Sequence, residues 1–172
     1  MIWYFARSSG IVAYALLSAS VVIGILMSGK TRFTWPRFAV EEVHRFLAIL
    51  TGVFVVLHGA TLLLDSVVPT SLARELVPFA SGYRPFAVGL GVMAAELMAA
   101  VGISNALRKG LPHGVWRRVH YLTFAVWVLA TGHGLLAGTD RFDPWFAAVA
   151  GAAVSSTLMA AYARFAPRRV PA

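Results

Sequence analysis

The sequence predicts an all-α integral membrane bundle of five transmembrane helices, with the amino terminus outside and the carboxyl terminus in the cytoplasm. Three observations carry this. The 172 residues are 59% hydrophobic and only 13% charged, with a mean hydropathy of +0.74, far more apolar than a soluble domain. The apolar residues fall into blocks of about 20, the length an α-helix needs to cross the hydrocarbon core. The basic residues are divided unevenly between the two sides those blocks define.

The first span, Ser8 to Met27, has too long an apolar stretch for a cleavable signal peptide, and no small-residue cleavage site precedes the basic segment after it. That polar, basic segment, Ser28 to Pro36, leads into the second span, Val43 to Leu64. The connector Ser66 to Arg84 is the longest. Its start at Pro69, Thr70 and Ser71, followed by Leu72, Leu76, Val77 and Phe79, predicts a short amphipathic helix on the outer interface. The third span, Pro85 to Leu107, carries Glu96 near its centre. A connector punctuated by Gly110, Pro112 and Gly114 leads to the fourth span, Val119 to Ala137, and a charged turn from Gly138 to Pro144 leads to the fifth, Trp145 to Tyr162. The whole chain, 1–172, reads as a single domain.

On one side fall Lys30, Arg32, Arg37, Arg45, Arg108, Lys109, Arg117, Arg118, Arg164, Arg168 and Arg169, and on the other Arg7, Arg74, Arg84 and Arg141, eleven against four. The positive-inside rule makes the first side cytoplasmic. The net charge of +8 is therefore read as topology, with lipid rather than nucleic acid as the surrounding partner. The absence of cysteine excludes disulfides, thiolate-held iron–sulfur clusters, covalently attached c-type haem and a cysteine nucleophile.

Two spans echo each other. Residues 43–65 read VHRFLAILTGVFVVLHGATLLLD and residues 119–140 read VHYLTFAVWVLATGHGLLAGTD. Each opens Val-His, reaches a His-Gly pair and ends on an Asp seven residues after that histidine. Four of the five histidines thus lie in membrane spans, where polar groups are costly and mark function by default. His44 and His58 are 14 apart, about 21 Å of rise with only about 40° of rotation, so they share a face. One span intervenes between the two segments, so they run in the same direction. That sets His44 level with His120 near the cytoplasm and His58 level with His133 toward the outside. His120 and His133 are 13 apart, which leaves them about 140° apart on an ideal helix. The fourth span must then bend, over-wind or bulge, or the two sites must be rotated relative to one another.

No short-spaced ligand cluster of the zinc type is present. A porphyrin needs only one imidazole from each of two facing helices, which the sequence supplies twice. Gly59 and Gly134, after two of the histidines, would admit a flat macrocycle or serve as small packing contacts.

With these residues the chain resembles the ferric reductase-like transmembrane domain family. This family contains the membrane haem domains of ferric reductases and NADPH oxidases and the haem-binding subunit of the methionine sulfoxide reductase system. The resemblance runs from Trp3-Tyr4 to Asp140 and rests on the bis-histidine spacing. Further matches are TrpTyrPheAlaArgSerSerGly at 3–10, SerGlyTyrArgPro at 81–85 and TrpArgArgValHis at 116–120. It implies two b-type haems, with Arg45, Trp116 and Arg117 holding propionates of the inner one and Tyr83 with Arg84 those of the outer one. It also implies a multi-pass protein of a bacterial inner membrane.

The expected function is one-electron transfer from a cytoplasmic or membrane donor through the inner haem to the outer haem and an extracytoplasmic acceptor. This would be the electron-transfer part of an oxidoreductase with no catalytic residue of its own. Two departures bear on it: many members have six spans, and the redox enzymes carry a flavin and nicotinamide domain, of which no Gly-rich fingerprint is found here. GlyLeuGly at 89–91 lies inside a span and reads as packing. The donor is therefore expected to be a separate flavoprotein or quinol, with a quinone or flavin meeting the cytoplasmic side.

Glu96 is expected to be a neutral acid bonded to a backbone carbonyl, with haem tuning or proton relay as the other roles. His113, in a Pro-His-Gly loop, is expected to be solvated. Two other functions compete with electron transfer. One is a histidine-based proton or metal-ion transporter. The other is a structural membrane subunit of a larger redox complex, for which Ala147, Gly151 and Ser155 offer a packing face on the last span.

Overall fold

A computed structural model describes residues 1–29, 33–65 and 70–166. Among these residues the chain is entirely helical: α1 (Ile2–Ser28), α2 (Arg37–Leu63), a short α3 (Leu72–Leu76), α4 (Pro85–Ala106), a 3-10 turn at Arg108–Gly110, α5 (His113–Ala137) and α6 (Pro144–Phe165). Five of these helices, all but α3, are long and apolar enough to cross a membrane, and the protein is a multi-pass membrane bundle. Lys30, Arg32, Pro69, Arg168 and Arg169, used above in the charge count and the connector, lie outside the described residues.

Four of the five membrane helices start before their hydropathic spans, and α4 coincides with its span to within one residue. α1 begins at Ile2 rather than Ser8, α2 at Arg37 rather than Val43, and α5 at His113 rather than Val119. Proline sets the starts: Pro36 and Pro112 stand at the N-caps of α2 and α5, and Pro85 and Pro144 open α4 and α6. Proline lacks an N–H and has a fixed φ, which suits only the first turn. The polar turns that follow, such as Arg37 with its Glu41 partner at 3.2 Å, continue the helix outside the apolar stretch. His113 is thus the exposed first residue of α5 rather than part of a loop.

The predicted interfacial helix is only the five residues of α3, capped by the Ser71 hydroxyl. Val77 and Phe79 lie beyond it. Phe79 has a φ of 67° and lies against Gly89, where a Cβ would strike its ring.

The bundle consists of two tight antiparallel pairs, α1 with α2 and α4 with α5, and α6 lies along α1. α2 and α5 are not packed on one another. They face across a gap, and midway between the histidines Thr51 on α2 and Val126 on α5 are each 2% exposed, with Leu17, Val21 and Ala94 among the buried residues of the core. α1 and α5 are joined by two part-buried polar links, Tyr14 Oη to Thr131 Oγ1 at 3.1 Å and Trp127 Nε1 donating to Ser18 Oγ at 3.0 Å.

Arg7 clamps the start of α1 to the turn after α5 through an ion pair with Asp140, its Nε donating to Oδ2 at 2.9 Å. Asp65 and Asp140, which end the two repeated segments, are both buried. α6 buries Phe146, Ala150, Ala153, Thr157 and Ala160, while Ala147, Gly151 and Ser155 face outward.

A candidate bis-histidine centre at two levels

The four span histidines meet across the gap between α2 and α5. His44 faces His120 with ring centroids 6.2 Å apart and planes at 70°. His58 faces His133 with centroids 6.2 Å apart and planes at 76°. The two pairs are therefore built alike, and the parallel course of α2 and α5 puts them at matching depths.

The spacing admits an atom between each pair. Two metal–nitrogen bonds of ~2.0 Å and a ~1.1 Å step from each nitrogen to its ring centre sum to ~6.2 Å. Among the described residues no three His, Cys, Asp or Glu side chains converge to hold a metal ion. A metal on either pair would have only two protein ligands, and the remainder must come with it, as the four nitrogens of a porphyrin do. The imidazole separation at each level is the one that a haem held between two histidines would require.

Three imidazoles are oriented by carbonyls of the neighbouring helix. His44 Nδ1–H donates to the Ser20 carbonyl at 3.0 Å, with the Ser20 hydroxyl oxygen 3.2 Å away as a second acceptor. His58 Nδ1–H donates to the Ala6 carbonyl at 2.7 Å, and His133 Nδ1–H to that of Ala87 at 2.9 Å. A proton fixed on Nδ1 leaves the Nε2 lone pair free for a metal, the usual support for a ligand histidine. His120 Nδ1 is buried and has no hydrogen-bond partner among the described residues. Its ring instead stacks on Trp116 at 5.3 Å and 23°. Trp116 is itself held by Arg108, 4.4 Å above its ring, and by Asn105, whose Oδ1 accepts from the indole N–H at 2.8 Å.

The 13-residue step on α5 explains the exception. α5 is α-helical from His113 to Ala137 without a π or 3-10 interruption, so its two imidazoles leave from different flanks. His133 reaches the α4 side and His120 does not. On α2, where the step is 14, both imidazoles reach α1.

A cavity of about 310 Å³ surrounds the His58–His133 pair, lined among others by Thr51, Gly59, Glu75, Tyr83, Gly134 and Phe146. Tyr83 is therefore at this site. Arg84 lies 5.3 Å from the Tyr83 ring and donates to the Leu136 carbonyl at 2.9 Å, tying α4 to the end of α5. Arg45 and Arg117 are exposed, and Arg45 lies 3.4 Å from Glu42 on its own helix.

Glu96, expected to bond a backbone carbonyl, has no such bond among the described residues. It is exposed on α4.

Sequence reasoning did not single out Glu75. It leans from α3 toward Gly59, with one carboxylate oxygen covered and without a hydrogen-bond partner among the described residues. Burial pushes its carboxyl above the ordinary 4.5. A raised carboxyl pKa favours the folded state below 4.5, and that contribution is lost as pH rises through the raised value. Hydrogen exchange of residues 72–76 is therefore expected to quicken with pH above 4.5, beyond the intrinsic rate. In Glu75→Gln this extra dependence should vanish. An unchanged pH profile in the variant would remove Glu75 as its source.

Fold and site together define a class: a multi-pass helical membrane protein with two facing imidazole pairs stacked along one gap. Residues 1–140 match a family described as a domain of unknown function (DUF8596), and the chain belongs to that family. The matched region contains both pairs and ends at Asp140, the partner of Arg7. No curated protein and no solved structure matches the chain.

Proposed function

We propose that this protein is a di-haem b transmembrane electron-transfer protein, with one haem held by His44 and His120 and the other by His58 and His133. The observation that carries the reading is the pair of 6.2 Å imidazole separations across two helices that do not pack on each other. The resemblance of the bis-histidine spacing to the ferric reductase-like family supports it, as does the absence of a third ligand at either level among the described residues.

When bound, each haem would supply a one-electron ferric/ferrous couple, held by the two imidazoles of its level. The chain's own residues hold and separate the two groups. Ser20, Ala6 and Ala87 carbonyls fix three ring planes, and Trp116 backs the fourth. Thr51 and Val126 lie buried at positions between the two levels, Thr51 turning its hydroxyl back to the Leu47 carbonyl at 2.8 Å. This largely apolar layer favours electron transfer over a proton or ion path, which needs continuous polar groups.

The charge bias of the loops orients the His44–His120 site toward the cytoplasm of a bacterial inner membrane. The donor there is a flavoprotein or quinol, and the acceptor is extracytoplasmic. By the resemblance, Arg45 and Arg117 would hold propionates of the inner haem and Tyr83 and Arg84 those of the outer.

Purified protein tests this. It should be red, with about two haems per chain and the reduced-minus-oxidised bands of bis-imidazole haem. Because the imidazole planes are near perpendicular, at 70° and 76°, their π interactions with a bound iron would offset one another and leave two d orbitals nearly degenerate. The ferric signals should then be strongly anisotropic low-spin. A colourless preparation that takes up no haem would leave the transporter as the better reading.

A further inference from the structure

The three hydrogen-bonded histidines share a device. The carbonyls they reach belong to Ala6, Ser20 and Ala87, and the residue four positions on is a glycine each time: Gly10, Gly24 and Gly91. A helical Cβ leans toward the N-terminus, so the side chain at i+4 covers the carbonyl of residue i. That carbonyl already accepts the helix N–H of residue i+4, and its second lone pair is open to an outside donor only if the covering Cβ is missing.

The space is occupied by the ring itself. A Cβ built on Gly91 would lie 2.6 Å from His133 Nδ1, one on Gly10 would lie 3.0 Å from His58 Nδ1, and one on Gly24 would lie 3.2 Å from His44 Cε1. Gly52 and Gly102 on the same bundle face open space.

The spacing follows from the histidines. Gly10 and Gly24 are 14 apart on α1, matching the 14 between His44 and His58 on antiparallel α2. On α4, moving 13 residues from Ala87 to match the step from His133 back to His120 leads to Ala100, and four residues beyond it stands Ser104 rather than glycine. Ser104 is buried, with its hydroxyl on the Val101 carbonyl at 2.8 Å. His120, the span histidine without a carbonyl partner among the described residues, leaves α5 from the other flank, and at its register α4 carries no glycine.

We propose that Gly10, Gly24 and Gly91 are positioning residues, each baring one helix carbonyl to the Nδ1–H of an opposing histidine and so fixing its tautomer and ring plane, whereas His120 is fixed by stacking on Trp116. As a statement about ligand histidines this rests on the function proposed above. The hydrogen bonds themselves are independent of it.

The test uses full-length protein labelled with 15N-histidine, read by nuclear magnetic resonance with and without haem, and by ferric paramagnetic resonance and redox titration when haem is bound. Three of the buried imidazoles should be Nδ1–H tautomers in strong hydrogen bonds. Alanine at Gly91 should move the His133 signal and perturb the outer site most, alanine at Gly10 should move His58 by less, and alanine at Gly24 should move His44 least. Each should leave the other level unchanged, and Gly52→Ala and Gly102→Ala should leave both levels as they are.

If Gly91→Ala does not fold, the mildest variant, Gly24→Ala, still decides whether His44 responds. Wild-type histidine signals in all three variants, or equal effects from the two controls, would overturn the proposal. A protein that shows the expected histidine shifts but binds no haem would instead overturn the function and leave the glycine device standing.

Discussion

Replacing histidines two at a time is expected to give opposite results depending on which two are removed. His44→Ala with His120→Ala takes out one facing pair and should leave about half the haem, in one intact bis-imidazole site. His44→Ala with His133→Ala removes the same number of ligands but leaves His58 and His120. These lie on opposite helices and on different levels, about 20 Å apart along the bundle by helix rise, and this variant should bind no six-coordinate haem. The reason is geometric. Each level offers two imidazoles at a 6.2 Å separation and no third converging ligand among the described residues. Since α2 and α5 are not packed together, no neighbouring side chain is poised to substitute. Haem content and the low-spin ferric signal of the two double variants, measured on purified protein of equal helicity, decide the matter. A diagonal variant that kept a bis-imidazole site would mean the rings are paired differently.

Much of this arrangement was legible in the sequence, for physical reasons that also mark where legibility ended. Hydropathy located all five membrane helices because backbone groups in lipid must be satisfied within a helix, which forces long apolar stretches. It did not locate the helix starts. The first turns of α2 and α5 are polar, and they are helical because Pro36 and Pro112 stand at the caps and no breaker follows. The histidine pairing was readable because equal rise on parallel helices puts equal spacing at equal depth, and rise is nearly insensitive to the 13-against-14 difference.

What could not be read was rotation. Which imidazole reaches a neighbouring carbonyl depends on the flank from which it leaves α5, and on whether a Cβ covers that carbonyl. Gly10, Gly24 and Gly91 look like any small residue in a membrane helix, and what the segments at 3–10 and 116–120 pack against is visible only in the fold. The first contains the Ala6 carbonyl, the Asp140 partner Arg7, and Gly10; the second contains the Trp116 that backs His120. Glu96 was misread for the same reason: depth in the membrane was evident, but the face of the helix was not.

Rotation also sets the second large effect. Inserting one alanine between Val126 and Trp127 would lengthen the His120–His133 step to 14, the value on α2, and ideal-helix reasoning alone would favour the change. The structure argues the reverse. α5 is an unbroken α-helix at its native step of 13, and its outer half is locked in rotation by three bonds to two different helices. His133 donates to the Ala87 carbonyl at 2.9 Å, Thr131 meets Tyr14 at 3.1 Å, and Trp127 donates to Ser18 at 3.0 Å. One added residue turns one half against the other by about 100° and shifts it about 1.5 Å. Either all three bonds break or the His44–His120 level swings out of register. The insertion should therefore cost one haem site and lower thermal stability by several kcal/mol, the sum of three part-buried hydrogen bonds at about 1 kcal/mol each. The same alanine placed after Gly138, beyond the last of these bonds, should cost neither haem site. The comparison is read from haem stoichiometry and melting of the two purified insertions. Two intact sites in the first would show that α5 absorbs the residue as a π-bulge, and the native 13-residue register would then have no part in orienting the histidines.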